Sequence, residues 1–492
     1  MPQLVDIEKA GVPLVVIIYE DQDECFNQAA RLNGVPNIRR LHVSRTRDGV
    51  EEADRLIKPM FDALTHPLTE KEKESGRWEV PDERIIFEGA LQEAQEFYQQ
   101  AEIIPTAQNA PIAKYTDGLP IIVPTEELVE KMLKGTSHKP DELITFQTDH
   151  MFGNRIQNRQ AEADRRSNRS VLMGNTGIKG DPVGFLPMRR KATVEKVATI
   201  GVMAGCKPEY LPVLLALAES GGGCGDGRGR SGFCVCGPIA KEIGMNFDIN
   251  IFGPGNHANR SIGRAGELMW RNFGGNIPAV TNCGVWGNGL TNCIPENVEA
   301  LPPGWKSLAE EYDFKRDESV LISVSAGGRG TEFSPGGYRA LQKSGHGGIA
   351  RRLGVKGIPG PHNWLEYIIP GLWAGREGGI TIYMLPHMAQ HLYEYGFKTK
   401  DDVYEWLYKQ SFITVAEYRT HSWADVRTGG WMGREKISGQ PWKELPDDYM
   451  VPAMDDPYEN CIIVTGGGEE SALYSGGRAP NTQPAYSIDA WR

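Results

Sequence analysis

Cysteine is the residue whose spacing says most about chemistry in this chain. Cys224, Cys234 and Cys236 form a C-x9-C-x-C run in a glycine-rich stretch, and Cys283 and Cys293 repeat the C-x9-C spacing inside Thr-Asn-Cys triplets. Five of the eight cysteines therefore lie between Cys224 and Cys293. Neither spacing is the CxxC of a zinc knuckle or a thioredoxin-type pair. Cys-x-Cys nevertheless sets two sulfurs side by side, where thiolates can hold iron, cobalt or zinc, or act as attacking and resolving thiols. Packing is the competing account, because alternate residues of a strand share one face and Cys234 and Cys236 would be buried together. The metal set that the pattern allows is Cys224, Cys234 and Cys236, with Cys234 and Cys236 as the catalytic thiols.

A second constellation follows at once. Gly253-Pro254-Gly255-Asn256 opens a helix on which Arg260, Arg264 and Arg271 fall within a sector of about 40°, opposite Ala258, Ile262, Ala265 and Met269. Such a helix buries one side and carries cations on the other. Its first amides form a candidate anion site, with Gly255, Asn256 and Arg260 as substrate contacts and His257 as the acid or base. Thiolates next to that helix start would have lowered pKa values. His387 and His391 sit four apart at a metal-compatible helical spacing, and His346 lies in a glycine-rich loop, both weaker candidates. The chain has no Walker A pattern and no GxSxG elbow, which argues against a P-loop and against a hydrolase serine triad.

These residues need a scaffold, and the chain is long enough for one. Its 492 residues suit two or three domains, and a net charge of −11 disfavours nucleic acid as a partner. The start shows no signal-peptide pattern, and no apolar run reaches the length of a membrane span. Free cysteines in so long a chain suit a cytoplasmic setting.

The elements read as α/β: a truncated parallel layer, then a larger mixed α/β domain. Val12–Tyr19 is a buried-type strand, a helix over 24–32 follows, and Arg40–Ser44 is a second strand. The layer begins in mid-helix, which predicts a second small subunit that completes it. Polar, Pro-punctuated residues 99–124 suggest a boundary, giving domains of 1–110 and 111–492. Residues 145–190 hold seven Arg and one Lys against four acids and read as a basic surface insertion. Two helices are expected across 192–219. Strands at 319–325 and 461–465 each run into a glycine-rich loop, at 326–330 and 466–468, where α/β proteins often bind ligands.

Several stretches together resemble the UGSC family, named for a selenocysteine- or cysteine-Gly-Ser-Cys motif. They are IEKAGVPLVVI and ARLNGVPNIRRLHV within 6–44, LPIIVPTEELVEKMLKG at 119–135, and ATVEKVATIGVMAGCKPEYLPVLLA at 192–216. The similarity continues with GPIAKEIGMN and FGPGNHANRSIGRA in 237–275, then weakens through 392–407 to VTGGG at 464–468. MAGCKPEYLPV and FGPGNHAN are its most specific parts. The resemblance implies a two-domain α/β protein with thiol-centred chemistry. Two departures stand out: Cys-Gly-Ser-Cys is absent, and the chain starts beyond the place where it is expected.

The combined reading is a cytoplasmic enzyme, or the large subunit of one, with a cysteine-lined site that can carry Fe, Co or Zn. Hydrolase or lyase (hydratase-like) chemistry on a small anionic or electrophilic substrate fits best. Thiol–disulfide oxidoreduction is the first alternative. A non-catalytic partner of a small thiol-bearing protein is the second.

Overall fold

The computed structural model describes residues 4, 7–8, 11–19, 23–43, 49–74, 83–104, 110–148, 151–152, 177–185, 188–221, 231–251, 253–277, 292–325, 331–332, 357–372, 379–420, 434–435, 437–454, 456–466, 473–476 and 484–492. Helices and mixed sheets build a mixed α/β fold. Among these residues no helix is long and apolar enough to cross a membrane.

The first unit is small. Strand β1 (Val16–Tyr19) runs parallel to β2 (Arg40–Val43), with helix α1 (Asp23–Leu32) between them in sequence. Phe26 and Ala30 of that helix close on Ile18 and Ile38, a core distinct from the rest. Helix α2 (Gly49–Thr65) follows, and Arg39 ties down the chain just beyond it by bonds to Glu72 (2.8 Å) and the Pro67 carbonyl (2.6 Å).

The boundary falls earlier than the sequence suggested. Helix α3 (Leu91–Tyr98) gives Ala94 and Tyr98 to the main core, and Phe97 stacks on Tyr115 with centroids 4.9 Å apart. Strands β3 (Ala101–Ile104) and β4 (Ala110–Ala113) form a hairpin. Ile121 and Val123 beyond it are buried. Tyr115, Ile121 and Val123 thus join the main core, while most other described residues of 99–124 are exposed.

The main unit is a stack of four layers. Its first sheet has the order β5 (Met151–Phe152), β15 (Pro484–Ser487), β8 (Val320–Ser325), β6 (Ser231–Cys236), β7 (Asn292–Pro295). Strands β6 and β7 are parallel, while β8 is antiparallel to β6 with Cys234 opposite Ile322. The second sheet has the order β13 (Cys461–Val464), β10 (Ile380–Met384), β14 (Leu473–Gly476), β9 (Thr331–Glu332). A short pair, β11 (Ile413–Thr414) with β12 (Met450–Val451), lies apart.

Alternation along the strands assigns the layers. Phe233, Val235, Cys293, Leu321 and Tyr486 point to one side, into a core shared with helices α4 (Glu126–Leu133), α5 (Val194–Ala204), α6 (Leu211–Glu219) and α7 (His257–Asn272). Cys234, Cys236, Ile294, Val320, Ile322 and Val324 point to the other side and meet Tyr383, Cys461 and Ile463 of the second sheet. The outer face of that sheet, with Ile382, Met384 and Val464, is covered by α9 (Pro386–Glu394) and α10 (Lys400–Gln410). A further short helix, α8 (Leu308–Glu311), joins the inter-sheet layer through Leu308 and Ala309.

Local sequence explains these elements. Thr193 caps α5 by accepting from the Lys196 amide, and every residue of α6 is buried, so its apolar run needs no polar face. Full burial of each Leu or Val there is worth about 1.5–3 kcal/mol before entropy is counted. Gly237 ends β6 at φ +94, and a Cβ there would lie 2.4 Å from the Glu318 carbonyl, so only glycine fits. Part of the basic insertion also proves to be core: Val183 and Phe185 are fully buried, and Met151–Phe152 forms the edge strand. Residues 153–176 lie outside the described part.

Candidate functional site

The two strand cysteines are completely buried, with sulfurs 3.9 Å apart, and Cys236 donates to Glu296 Oε2 at 3.6 Å. They face the second sheet, while their neighbours Phe233 and Val235 face α7. The expected common pocket of these thiols and the start of α7 is thus divided by β6 itself. The expected acidification is also reversed. Cys236 is held well above its ordinary value by its bond with Cys234, by burial and by Glu296, and Cys234 is raised by burial. Burial raises Cys461 and Cys293 as well. Neutral, enclosed thiols of this kind are poor nucleophiles. Cys224 and Cys283 lie outside the described residues. Among the described residues, no three His, Cys, Asp or Glu side chains are placed to hold a metal ion.

Beside these thiols lies an ion cluster that the sequence did not announce. Lys400 Nζ reaches Glu296 at 3.0 Å, Glu311 at 3.2 Å and the Ile462 carbonyl at 3.0 Å, which uses all three of its donors. Glu296 also accepts the Leu308 amide (2.7 Å) at the start of α8. Tyr404 donates to Glu311 at 3.3 Å and accepts the Ile462 amide at 3.0 Å. Burial alone would discharge Lys400, but the Glu296 and Glu311 carboxylates outweigh it and hold its pKa above the ordinary lysine value. The only hint in the sequence is Thr399-Lys400-Asp401-Asp402, where Thr399 and Asp402 form a capping box that fixes the helix start.

The loop before α7 is clamped by asparagines. Asn246 Nδ2 donates to Asn256 Oδ1 at 2.8 Å, Asn256 Nδ2 donates to the Asn250 carbonyl at 2.5 Å, and Asn259 Oδ1 accepts the Asn246 amide at 2.9 Å. Asn256 is thereby turned away from α7, whose first turn has no side-chain cap. Gly255 takes φ +92 with open space beside it, a conformation that side chains other than glycine resist. His257 is exposed, and its Nδ1 lies 3.3 Å from the hydroxyl of buried Tyr210.

The three arginines have separate fates. Arg264 makes a bidentate pair with Asp117 (2.8 and 2.9 Å) and bonds the Pro120 carbonyl, so it secures the 117–120 segment. Arg271 is partly enclosed, and burial depresses its pKa. Arg260, one turn from His257, has no ion pair among the described residues and remains half-buried at the surface.

Gly466 marks where other elements approach. A Cβ there would lie 3.1 Å from Leu385, which begins α9, and 4.0 Å from Ile251 of the clamped loop. The carboxyl ends of β10 and β13 thus meet the approach to α7, the kind of crevice that α/β folds use for ligands. His387 and His391 lie on α9 with ring centroids 5.9 Å apart. His346 and loops 326–330 and 467–468 lie outside the described residues. Comparison of the chain with protein-family models, with curated proteins and with solved structures gave no match.

Lys400→Met should destabilise the fold by about 3–5 kcal/mol, because two buried carboxylates lose the one cation that pairs with them among the described residues. Urea unfolding at neutral pH measures this. An unchanged midpoint would mean that the cluster does not hold the sheets together.

Proposed function

We propose that the chain is an enzyme of hydrolase or lyase type that binds a small anionic substrate at the start of α7 and moves a proton there. Arg260 and the uncapped first-turn amides beside Gly255 and Asn256 bind a carboxylate or similar group. His257 Nε2 gives or takes the proton, with Tyr210 fixing the ring through Nδ1. Cys234 and Cys236 have no part in that step, because the sheet stands between them and α7. Thiol–disulfide exchange is correspondingly less well supported, since both sulfurs are enclosed and held in the neutral form.

One observation carries this reading: the contact between Tyr210 and His257. Tyr210 lies in MAGCKPEYLPV and His257 in FGPGNHAN, the two stretches most specific to the resemblance with the UGSC family. Membership of that family is part of the proposal. A fold that brings these two motifs to one exposed histidine supports them as a shared site.

The test uses a panel of small mono- and dicarboxylates, with binding followed by calorimetry and turnover by proton NMR. Arg260→Ala should weaken binding by about 10–100-fold, the worth of a charge-assisted bond. His257→Asn should bind nearly as well and lose about 10²–10⁴-fold in turnover. Equal binding by wild type and Arg260→Ala would overturn the proposal.

A second reading, a partner subunit that completes a small thiol-bearing protein, is favoured by one feature. The first unit exposes Ile17 and Tyr19 on β1 and Ile57, Phe61 and Leu64 along α2. Apolar residues spaced in that way on a helix suit a docking face. Light scattering on protein purified from its native source should then give a hetero-oligomer. A fully active species made of this chain alone would contradict it.

A further inference from the structure

Two histidines on α9 belong to neither the ion cluster nor the α7 site. His387 and His391 are four residues apart, so they leave the helix about 40° from one another, one turn above the other. Met388, Ala389 and Leu392 fill the buried face of α9, and both imidazoles stand beside that face, half-buried. Their ring centroids are 5.9 Å apart and the ring planes are inclined at 80°. One metal ion bonded to both rings, at about 2.0–2.1 Å from each nitrogen, needs centroids within about 6.5 Å. The observed spacing meets that limit, so side-chain rotation alone can close the pair on an ion.

The backbone that carries the pair is fixed. Pro386 suits the first helical position, and the Met388 and Ala389 amides donate to the Leu385 carbonyl at 3.0 and 3.2 Å. At the other end the Tyr395 amide donates to the His391 carbonyl at 2.9 Å. The charge beside the pair suits a cation. Glu394 lies on the same side of α9, about 20° from His387, and its carboxylate accepts from Gln390 at 3.0 Å. Lys398, just past the helix, turns to the Tyr393 carbonyl at 2.7 Å.

The position in the fold gives the pair a use. His387 follows two residues after Leu385, which meets Gly466 and the loop of Ile251 at the carboxyl ends of β10 and β13. The histidines therefore border the crevice where α/β folds take ligands.

We propose that His387 and His391 chelate one divalent transition-metal ion, zinc or nickel, at the edge of this crevice. Imidazole nitrogen suits these ions, whereas magnesium and calcium take oxygen ligands. Among the described residues no three metal-binding side chains converge, so the ion keeps open positions for water and for an anionic ligand entering the crevice. The site is separate from the strand cysteines and from His257.

Calorimetric titration with Zn²⁺ or Ni²⁺ alone tests it, on the full chain freed of metal by a chelator and held in a non-coordinating buffer. The wild type should bind one equivalent more than the His387→Ala/His391→Ala double variant, with a Kd below about 100 μM. Each single variant should weaken that equivalent by about tenfold or more, through loss of the chelate partner. Mg²⁺ should show no difference between wild type and double variant. Equal uptake of Zn²⁺ and Ni²⁺ by wild type and double variant would overturn the proposal, as would an extra equivalent bound only above about 100 μM. If the double variant does not fold, the single variants decide: wild-type affinity in either one overturns the proposal.

Discussion

The fold depends on a lysine that cannot reach water. Lys400 lies between Glu296 and Glu311, and each partner belongs to a different piece of the structure: the end of β7, helix α8, and the Ile462 carbonyl of β13. Desolvating three charges costs several kcal/mol per ion, so the cluster need not add net stability. What it adds is specificity. Any slip of one sheet against the other would strand a buried charge, so the two sheets have one register and α8 and α10 have one way to begin.

That constraint also decides where chemistry can occur. The layer between the sheets is closed by the ion cluster and filled by Tyr383, Ile463 and Ile322, so Cys234, Cys236 and Cys461 are part of a packed core. The groups that the proposed function uses lie at the rim instead. There the asparagine clamp holds the approach to α7, Tyr210 contacts His257, and Arg264 is spent on Asp117, while Arg260 has no ion pair among the described residues.

Much of the scaffold was legible in the residues. The strands at 319–325 and 461–465 appear as Val320–Ser325 and Cys461–Val464, and the helix from Asn256 has the apolar face that its spacing demands. Periodicity placed Cys234 and Cys236 on one face of a strand but was silent on which layer covered that face. Long-range pairing was equally hidden. Arg264 and Asp117 are far apart in the chain, and Lys400 reads locally as an exposed residue at a helix start. Composition misled at 177–185, where Val183 and Phe185 are buried inside the arginine-rich stretch 145–190, whereas at 99–124 most of the described residues are exposed, as their polar character suggests. After Ile413, Tyr418 and Trp442 enter the outer core from a four-residue helix (Val415–Tyr418) and a 3-10 turn (Trp442–Glu444), elements too short to leave a periodicity in the sequence.

Whether the central thiols are structural is settled most directly by alkylation of the native protein. Iodoacetamide at neutral to mildly alkaline pH, read by mass on proteolytic peptides, should leave Cys234, Cys236 and Cys461 unmodified until denaturant is added. Prompt modification of Cys234 or Cys236 in the folded chain would contradict the account and return the chemistry to the strand.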